Sequence, residues 1–210
     1  MMNIKTKHTN WSEKYRPSRL EDVILPSHIK RQLIGLRDRE HCHNLALHGN
    51  AGTGKTTTAK LINADSTVVY NCGTESKMDD IIRIERLCTS HTVTGGKRVI
   101  LLDEADNLKP TVQGALKGII EKCAATTMFI LTTNYLERLS APLRSRFTEI
   151  DFSIDKGDIQ VRNELKNRVM QILSDECVTP DTFTIDSIIR KNFPDMRKTL
   201  GELQFNCGLS

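Results

Sequence analysis

Hydrophobic positions along this chain fall into two regimes. Up to about residue 152, short apolar or β-branched runs alternate with amphipathic stretches of helical period. The runs at 45–48, 67–71 and 127–132, and the one opening at Arg98, have strand length and little internal alternation, which suits strands buried on both faces of a parallel sheet. A last stretch, 148–152, alternates in the manner of a strand with one wet face. Between these lie helical patterns. One follows Pro26, with Ser27 as N-cap and Ile29, Leu33, Ile34 and Leu36 on its apolar side. Others run over 57–64, over 77–89 with Met78, Ile81, Ile82, Ile84, Leu87 and Cys88 toward the core, and over 111–122 behind Pro110.

From Asp158 onward the pattern is helical throughout, over 158–176, 181–191 and 195–205, with Asn192-Phe193-Pro194 as a breaker. The expected architecture is α/β: a parallel sheet flanked by helices over 11–153, then a small helical domain over 154–207. Residues 1–10 are polar and expected to be disordered. Before Pro26 the opening segment, Trp11-Ser12-Glu13-Lys14-Tyr15-Arg16-Pro17, is expected to be extended or turning, because Pro17 biases its predecessor away from helix. It is either an arm packed on the core or a strap over a flat ligand such as a purine.

The chemistry gathers at the ends of the strands. Gly49-Asn50-Ala51-Gly52-Thr53-Gly54-Lys55-Thr56 follows the first run and precedes a helix, the context in which a P-loop works. Its glycines let backbone N–H groups converge on phosphate oxygens, and the helix N-terminus adds positive potential. In such a loop Lys55 reaches the β- and γ-phosphates and the Thr56 hydroxyl ligates Mg²⁺. The third run ends in Asp103-Glu104-Ala105-Asp106. Carboxylates closing a buried strand are costly unless paired or holding a metal, and ligands of open α/β sheets bind at strand C-terminal ends. Asp103 therefore reads as the residue that holds Mg²⁺, and Glu104 as the base or orienter of an attacking water. Asn134 follows the fourth run. It is a sensor of the γ-phosphate if that strand neighbours the P-loop strand, and otherwise a turn-forming Asn. Arg144-Ser145-Arg146 precedes the last strand, where an arginine would complete a phosphate site, its own or a neighbour's. Gln113 is either a surface amide or part of a polar network.

Composition narrows the class. With 38% hydrophobic and 27% charged residues the chain suits a soluble globular protein, and no apolar run approaches the ~18 residues of a membrane span. The polar N-terminus lacks the core of a signal peptide, so a cytoplasmic location is expected. The six cysteines (Cys42, Cys72, Cys88, Cys123, Cys177, Cys207) contain no CxxC pair. Each is expected to be a small buried hydrophobe rather than a zinc ligand. A net charge of +4 permits nucleic-acid binding without requiring it.

Taken together, the P-loop, Asp103-Glu104, the strand-tip Asn134 and the Ser145-Arg146 pair resemble the AAA+ ATPase family. Glu13-Lys14-Tyr15-Arg16-Pro17 looks like the adenine strap of its clamp-loader branch. Ser145-Arg146-Phe147 looks like that branch's Ser-Arg-Cys motif, and the stretch 192–200 like its sensor-2 helix. The resemblance, to clamp-loader subunits of the phage and replication factor C type, spans roughly residues 11–204. It implies ATP and Mg²⁺ as ligands, with Glu13, Lys14, Tyr15, Arg16 and Ile24 around adenine and ribose, and Gly52, Thr53, Gly54, Lys55, Thr56 and Thr57 on the phosphates. Thr56 and Asp103 would serve the metal, Glu104 the water, Asn134 and Arg197 the γ-phosphate. Arg146 would be an arginine finger reaching into the next subunit, a contribution of about 10³–10⁵ in rate. Lys77 and Arg83 would touch template phosphates, and Gln113 would lie near the coupling of DNA and ATP sites. The implied partners are the other clamp-loader subunits in a hetero-pentamer, a sliding clamp and primer–template DNA, with no membrane. Phe147 departs from the motif's Cys. The resemblance also implies a C-terminal helical collar, expected here to lie on a separate polypeptide or outside a fragment, which puts assembly by this chain alone in question.

Overall fold

A computed structural model describes residues 10–37, 43–62, 67–73, 78–89 and 98–207. Two compact units divide the chain: Met1–Pro26, Ala51–Gly54 and Ile154–Ser210 in one, Ser27–Asn50 and Lys55–Ser153 in the other.

The second of these contains the sheet. Among the described residues, strands β1 (Leu45–His48), β2 (Thr67–Asn71), β3 (Arg98–Asp103), β4 (Thr127–Thr133) and β5 (Thr148–Asp151) form one five-stranded sheet in the order β2-β3-β4-β1-β5. Every pairing is parallel, Leu45 registering with both Ile130 and Thr148. Parallel strands need crossovers, and helices α3 (Lys55–Ile62), α4 (Met78–Thr89) and α5 (Pro110–Lys122) supply them. Helix α2 (Ser27–Arg37) precedes β1, with Ile29 and Leu33 buried, and the single turn α6 (Ala141–Arg144) precedes β5. Central strand β4 is buried along its whole length, and Ile100, Leu101 and Leu102 of β3 are at most 1% exposed. Burying each such side chain contributes about 1.5–3 kcal/mol. The continuous apolar runs thus have the cause expected of them, burial on both faces.

The other unit is helical. Helix α1 (Trp11–Lys14), α7 (Ile159–Asp175), α8 (Thr182–Asn192) and α9 (Met196–Cys207) surround Trp11, Val161, Leu165, Val169, Ile185 and Leu203. Asp158 and Asp181 cap α7 and α8 by accepting from the amides of Val161 and Thr184, at 3.0 and 2.8 Å.

Several boundaries differ from expectation. The opening segment is one turn of helix at Trp11–Lys14 rather than extended: Asn10 Oδ1 accepts from the Ser12 amide at 2.9 Å, and Pro17 restrains only Arg16, beyond the helix end. Ser27 is already helical rather than capping. Helix α3 begins at Lys55, two residues early, because the loop's last glycine leads straight into it. Phe147, in place of the small Cys, is buried in the sheet unit's core. Cys72, Cys88, Cys123 and Cys207 are buried as expected, whereas Cys177 is exposed with φ of 58°. It sits in the left-handed position that ends α7, where the Val178 amide donates back to Leu173 O at 2.9 Å. Cys42 lies outside the described residues.

Candidate nucleotide site

The order of the strands settles the condition on Asn134. β4 is hydrogen-bonded directly to β1, with Thr133 opposite His48, so Asn134 and the glycine loop emerge side by side. Lys55 is the first residue of α3 and is 7% exposed. Its ammonium donates to Gly49 O at 2.8 Å, Asn50 O at 2.6 Å and Asn134 Oδ1 at 2.8 Å. These carbonyl dipoles hold a nearly buried cation at the C-terminal edge of the sheet, where an anionic ligand would meet it.

One residue on, Thr56 Oγ1 donates to Asp103 Oδ1 at 2.7 Å. The same carboxylate oxygen accepts from Thr132 Oγ1 at 2.5 Å, and Thr132 Oγ1 accepts from the Glu104 amide at 3.1 Å. This hydroxyl of β4 therefore ties together the two acidic residues at the end of β3. Sequence reasoning missed Thr132; the hydroxyl-rich end of the fourth run, Thr132-Thr133-Asn134, was the available signal. Asp106, the second acidic residue of the turn, is held by Thr133 Oγ1 at 3.1 Å and so closes the turn onto β4.

Glu104 is exposed and takes φ 58°, ψ 46°, a left-handed conformation uncommon for a non-glycine residue. Its carboxylate lies over the turn after β2: a Cβ built on Gly73 would stand 2.7 Å from Glu104 Oε2. The Gly73 amide in turn donates to Asn71 Oδ1 at 2.9 Å. A side chain at Gly73 would therefore displace the Glu104 carboxylate.

Gly49 and Gly52 of the loop are required both by close approach and by positive φ, whereas Gly54 is required by its φ of 91° alone. Gly49 has φ of 130°, and a Cβ there would stand 2.7 Å from the Ser153 nitrogen. In the helical unit Gly52 has φ of 74°, and a Cβ there would overlap Asp195 Oδ1 at 1.9 Å. Met196, the first residue of α9, donates its amide to Gly52 O at 3.2 Å. Arg197 comes next and is exposed, so the first turn of α9 is moored to the loop that carries Gly52. Gly54 approaches Val23 Cγ1, at 3.4 Å from a built Cβ, and Ile24 packs against the helical core. Thr53 is fully buried. In the sheet unit, the Lys55 ammonium and the hard oxygen donors of Thr56 and Asp103 fit a phosphate with Mg²⁺.

The opening segment is bound to the helical unit. Tyr15 Oη donates to Glu176 Oε1 at 2.5 Å and Lys14 Nζ does so at 2.5 Å. These bonds hold the Glu176 carboxyl below the ordinary range, the lysine first and the tyrosine second. Burial, followed by the bond to Glu176, pushes the Tyr15 phenol up. The Trp11 amide donates to Gln204 Oε1 at 2.9 Å, and Glu13 pairs with Arg16 at 2.6 Å. Lys14 and Tyr15 thus have packing partners of their own.

Arg146 lies in the sheet unit. It precedes β5, which runs parallel to β1, so it belongs to the N-terminal edge of the sheet, opposite the edge that carries Lys55, Asp103 and Asn134. Asn44, just before β1, fixes it there: Nδ2 donates to Arg146 O at 3.2 Å, Oδ1 accepts from the Phe129 amide at 2.9 Å, and Asn44 O accepts from the Thr148 amide at 2.8 Å. His43, Asn44, Ala124, Ser145 and Arg146 line a polar surface pocket of about 340 Å³. Arg83 is exposed on α4, 4.0 Å from Asp80 Oδ1; Lys77 lies outside the described residues. Gln113 is buried: its amide donates to Leu108 O at 3.0 Å and Arg138 O at 3.1 Å, and it accepts from the Ser140 amide at 2.8 Å.

A P-loop on β1, acidic residues closing β3 and a polar tip on β4 define a nucleotide-binding ATPase fold, and the sequence comparison agrees. Residues 45–154 match the model of the ATPase family associated with various cellular activities (AAA), and the chain belongs to that family. Among individual proteins it is similar to the sliding-clamp-loader large subunit of Enterobacteria phage T4, 30% identical over 97% of this chain and 66% of that protein. It is also similar to the replication factor C small subunit of Sulfolobus acidocaldarius, 32% identical over 92% of this chain and 61% of that protein. The chain therefore spans just under two thirds of the length of these relatives. RuvB of Thermotoga maritima shares the fold, with a TM-score of 0.72 at 23% identity over 88% of this chain and 62% of that one.

Proposed function

We propose that this chain is the ATP-hydrolysing motor subunit of a sliding-clamp loader, which opens a ring-shaped clamp and closes it on primer–template DNA. The observation that carries this reading is the separation of Arg146 from the P-loop. β1 alone puts roughly 13 Å of extended chain between the two edges, at ~3.3 Å per residue. An arginine there serves a neighbouring subunit's nucleotide, as subunits stacked head to tail require. Similarity to clamp-loader subunits of a phage and an archaeon supports the choice of machine.

In this reading the glycine cradle and Lys55 bind the phosphates, and Lys55 turns from Gly49 O, Asn50 O and Asn134 toward the γ-phosphate. Thr56 and Asp103 would hold Mg²⁺, which neutralises charge on the β- and γ-oxygens when bound. Glu104 and Asn134 orient the attacking water, Glu104 taking its proton as the bond to the γ-phosphorus forms and ADP leaves. Arg197 contacts the γ-phosphate from the first turn of α9, and Glu13 to Arg16 with Ile24 flank the base. The neighbour's Arg146 completes the charge balance. Residues 11–153 act as the ATP-binding core and 154–207 as its lid, and Lys77 and Arg83 touch template phosphates without reading sequence.

The test is ATP turnover by the chain alone, with primed DNA, and with primed DNA plus the clamp and partner subunits of its own system. Stimulation at each addition is expected. Nucleotide binding with no turnover in any mixture would instead assign the chain a scaffold role.

A further inference from the structure

The contacts of Arg146 go beyond its place at the sheet edge. Its Nε donates to Glu121 Oε1 at 3.1 Å, and its Nη2 pairs with the same oxygen. Its Nη1 bonds to Pro142 O and lies 3.3 Å from Ser145 Oγ. The guanidinium side is therefore held along its Nε–Nη2 edge by a carboxylate and at Nη1 by a carbonyl, while the backbone is held by Asn44. The Arg146 side chain is only 22% exposed although Glu121 is 57% exposed. The ion pair pulls the Glu121 carboxyl below its ordinary range. Glu121 comes from the last turn of α5, which the crossover delivers to the same sheet edge as Arg146.

An arginine with a free, flexible stem loses side-chain entropy when it engages a phosphate. A planar fork already gripped along one edge presents its remaining N–H groups in a fixed direction. We propose that Glu121 is a positioning residue: it presets Arg146 for a neighbouring molecule's nucleotide and takes no part in its own. This rests on the reading of Arg146 as a finger acting between subunits.

The experiment is a double-mutant cycle on the assembled complex with primed DNA, measuring kcat and KM for ATP and the melting temperature of each variant. Glu121→Ala is expected to lower kcat about 10- to 100-fold, the scale of misplacing a catalytic group by an ångström or so. KM and melting temperature should stay unchanged, and Glu121→Gln, which keeps an acceptor, should fall between. Glu121→Ala combined with Arg146→Ala should be no slower than Arg146→Ala alone, because the two act as one unit. If Arg146→Ala abolishes turnover while Glu121→Ala keeps or exceeds the wild-type rate, positioning by Glu121 is overturned and the finger stands. A fall in kcat with a lower melting temperature, or one that adds to that of Arg146→Ala, overturns it as well. If Arg146→Ala itself turns over normally, the finger reading fails and Glu121 loses its role with it.

Discussion

The two edges of the sheet are built from the same strands and carry opposite kinds of site. At the C-terminal edge two hydrogen-bonded sets stand side by side: Lys55 with Asn134, and Thr56 and Thr132 sharing Asp103. At the N-terminal edge, Asn44 holds the backbone and Glu121 the guanidinium of a single arginine, Arg146. The first is a receptor, with a cation and oxygen donors around a backbone cradle. The second, in the proposed function, is a projection: one arginine held by a carboxylate and a carbonyl. A parallel sheet makes this division natural, because every strand begins at one edge and ends at the other. The proposed function makes Arg146 the complement of that receptor, and a receptor and complement on opposite edges suit head-to-tail stacking.

The largest test of this contrast falls on the projection. Arg146→Ala should reduce kcat of the assembled complex by about 10³–10⁵ while ATP affinity is preserved; a matching loss of affinity would move Arg146 into its own site. Next comes the receptor. Asp103→Ala removes the acceptor shared by Thr56 and Thr132 and should cost about 10²–10³ in turnover. Raising Mg²⁺ should fail to restore the rate, and full recovery at millimolar Mg²⁺ would show that Asp103 only tunes affinity. At the braced edge, Asn44→Ala leaves the Phe129 amide and the Arg146 carbonyl without this side chain. It should lower stability by about 1–3 kcal/mol in chemical denaturation. An unchanged midpoint would mean that the edge is held elsewhere.

The helical unit gives the smallest effect. The Glu176 carboxyl is held below its ordinary value by Lys14 and Tyr15. A depressed acid adds stability that is present above its unfolded pKa, ~4.3, and lost as pH falls through the folded value. Glu176→Gln should therefore lower the melting temperature by about 2 °C at pH 7, and the difference should shrink below pH 4. A difference that persists at pH 3 would locate the effect in packing instead.

Much of this was legible from the chain. Continuous apolar runs such as 99–102 reveal a doubly covered sheet because burial on both faces leaves no polar alternation to mask them. The P-loop glycines reveal the cradle because no other residue tolerates φ of 74° with Asp195 so close at Gly52. Less visible were contacts between segments distant in sequence. The hydroxyl-rich end of the fourth run marks Thr132 as polar, but not as the partner of Asp103, 29 positions away. Asn44 resembles a loop residue until Arg146 is brought to it from 102 positions on. The strap motif gave no hint that Lys14 and Tyr15 converge on Glu176. The α1 turn was missed because one cap, Asn10, outweighed the distant restriction from Pro17.

The central claim is that each active site takes its arginine from a neighbour. The direct measurement is ATP turnover in mixtures of two inactive chains, Glu104→Gln with an intact Arg146 and Arg146→Ala with an intact Glu104. Mixed equally in a head-to-tail assembly, about one interface in four joins an intact receptor to an intact projection, so turnover should return to roughly that fraction of wild type. If the mixture stays as inactive as its components while both chains bind ATP and assemble, the arginine does not act between subunits.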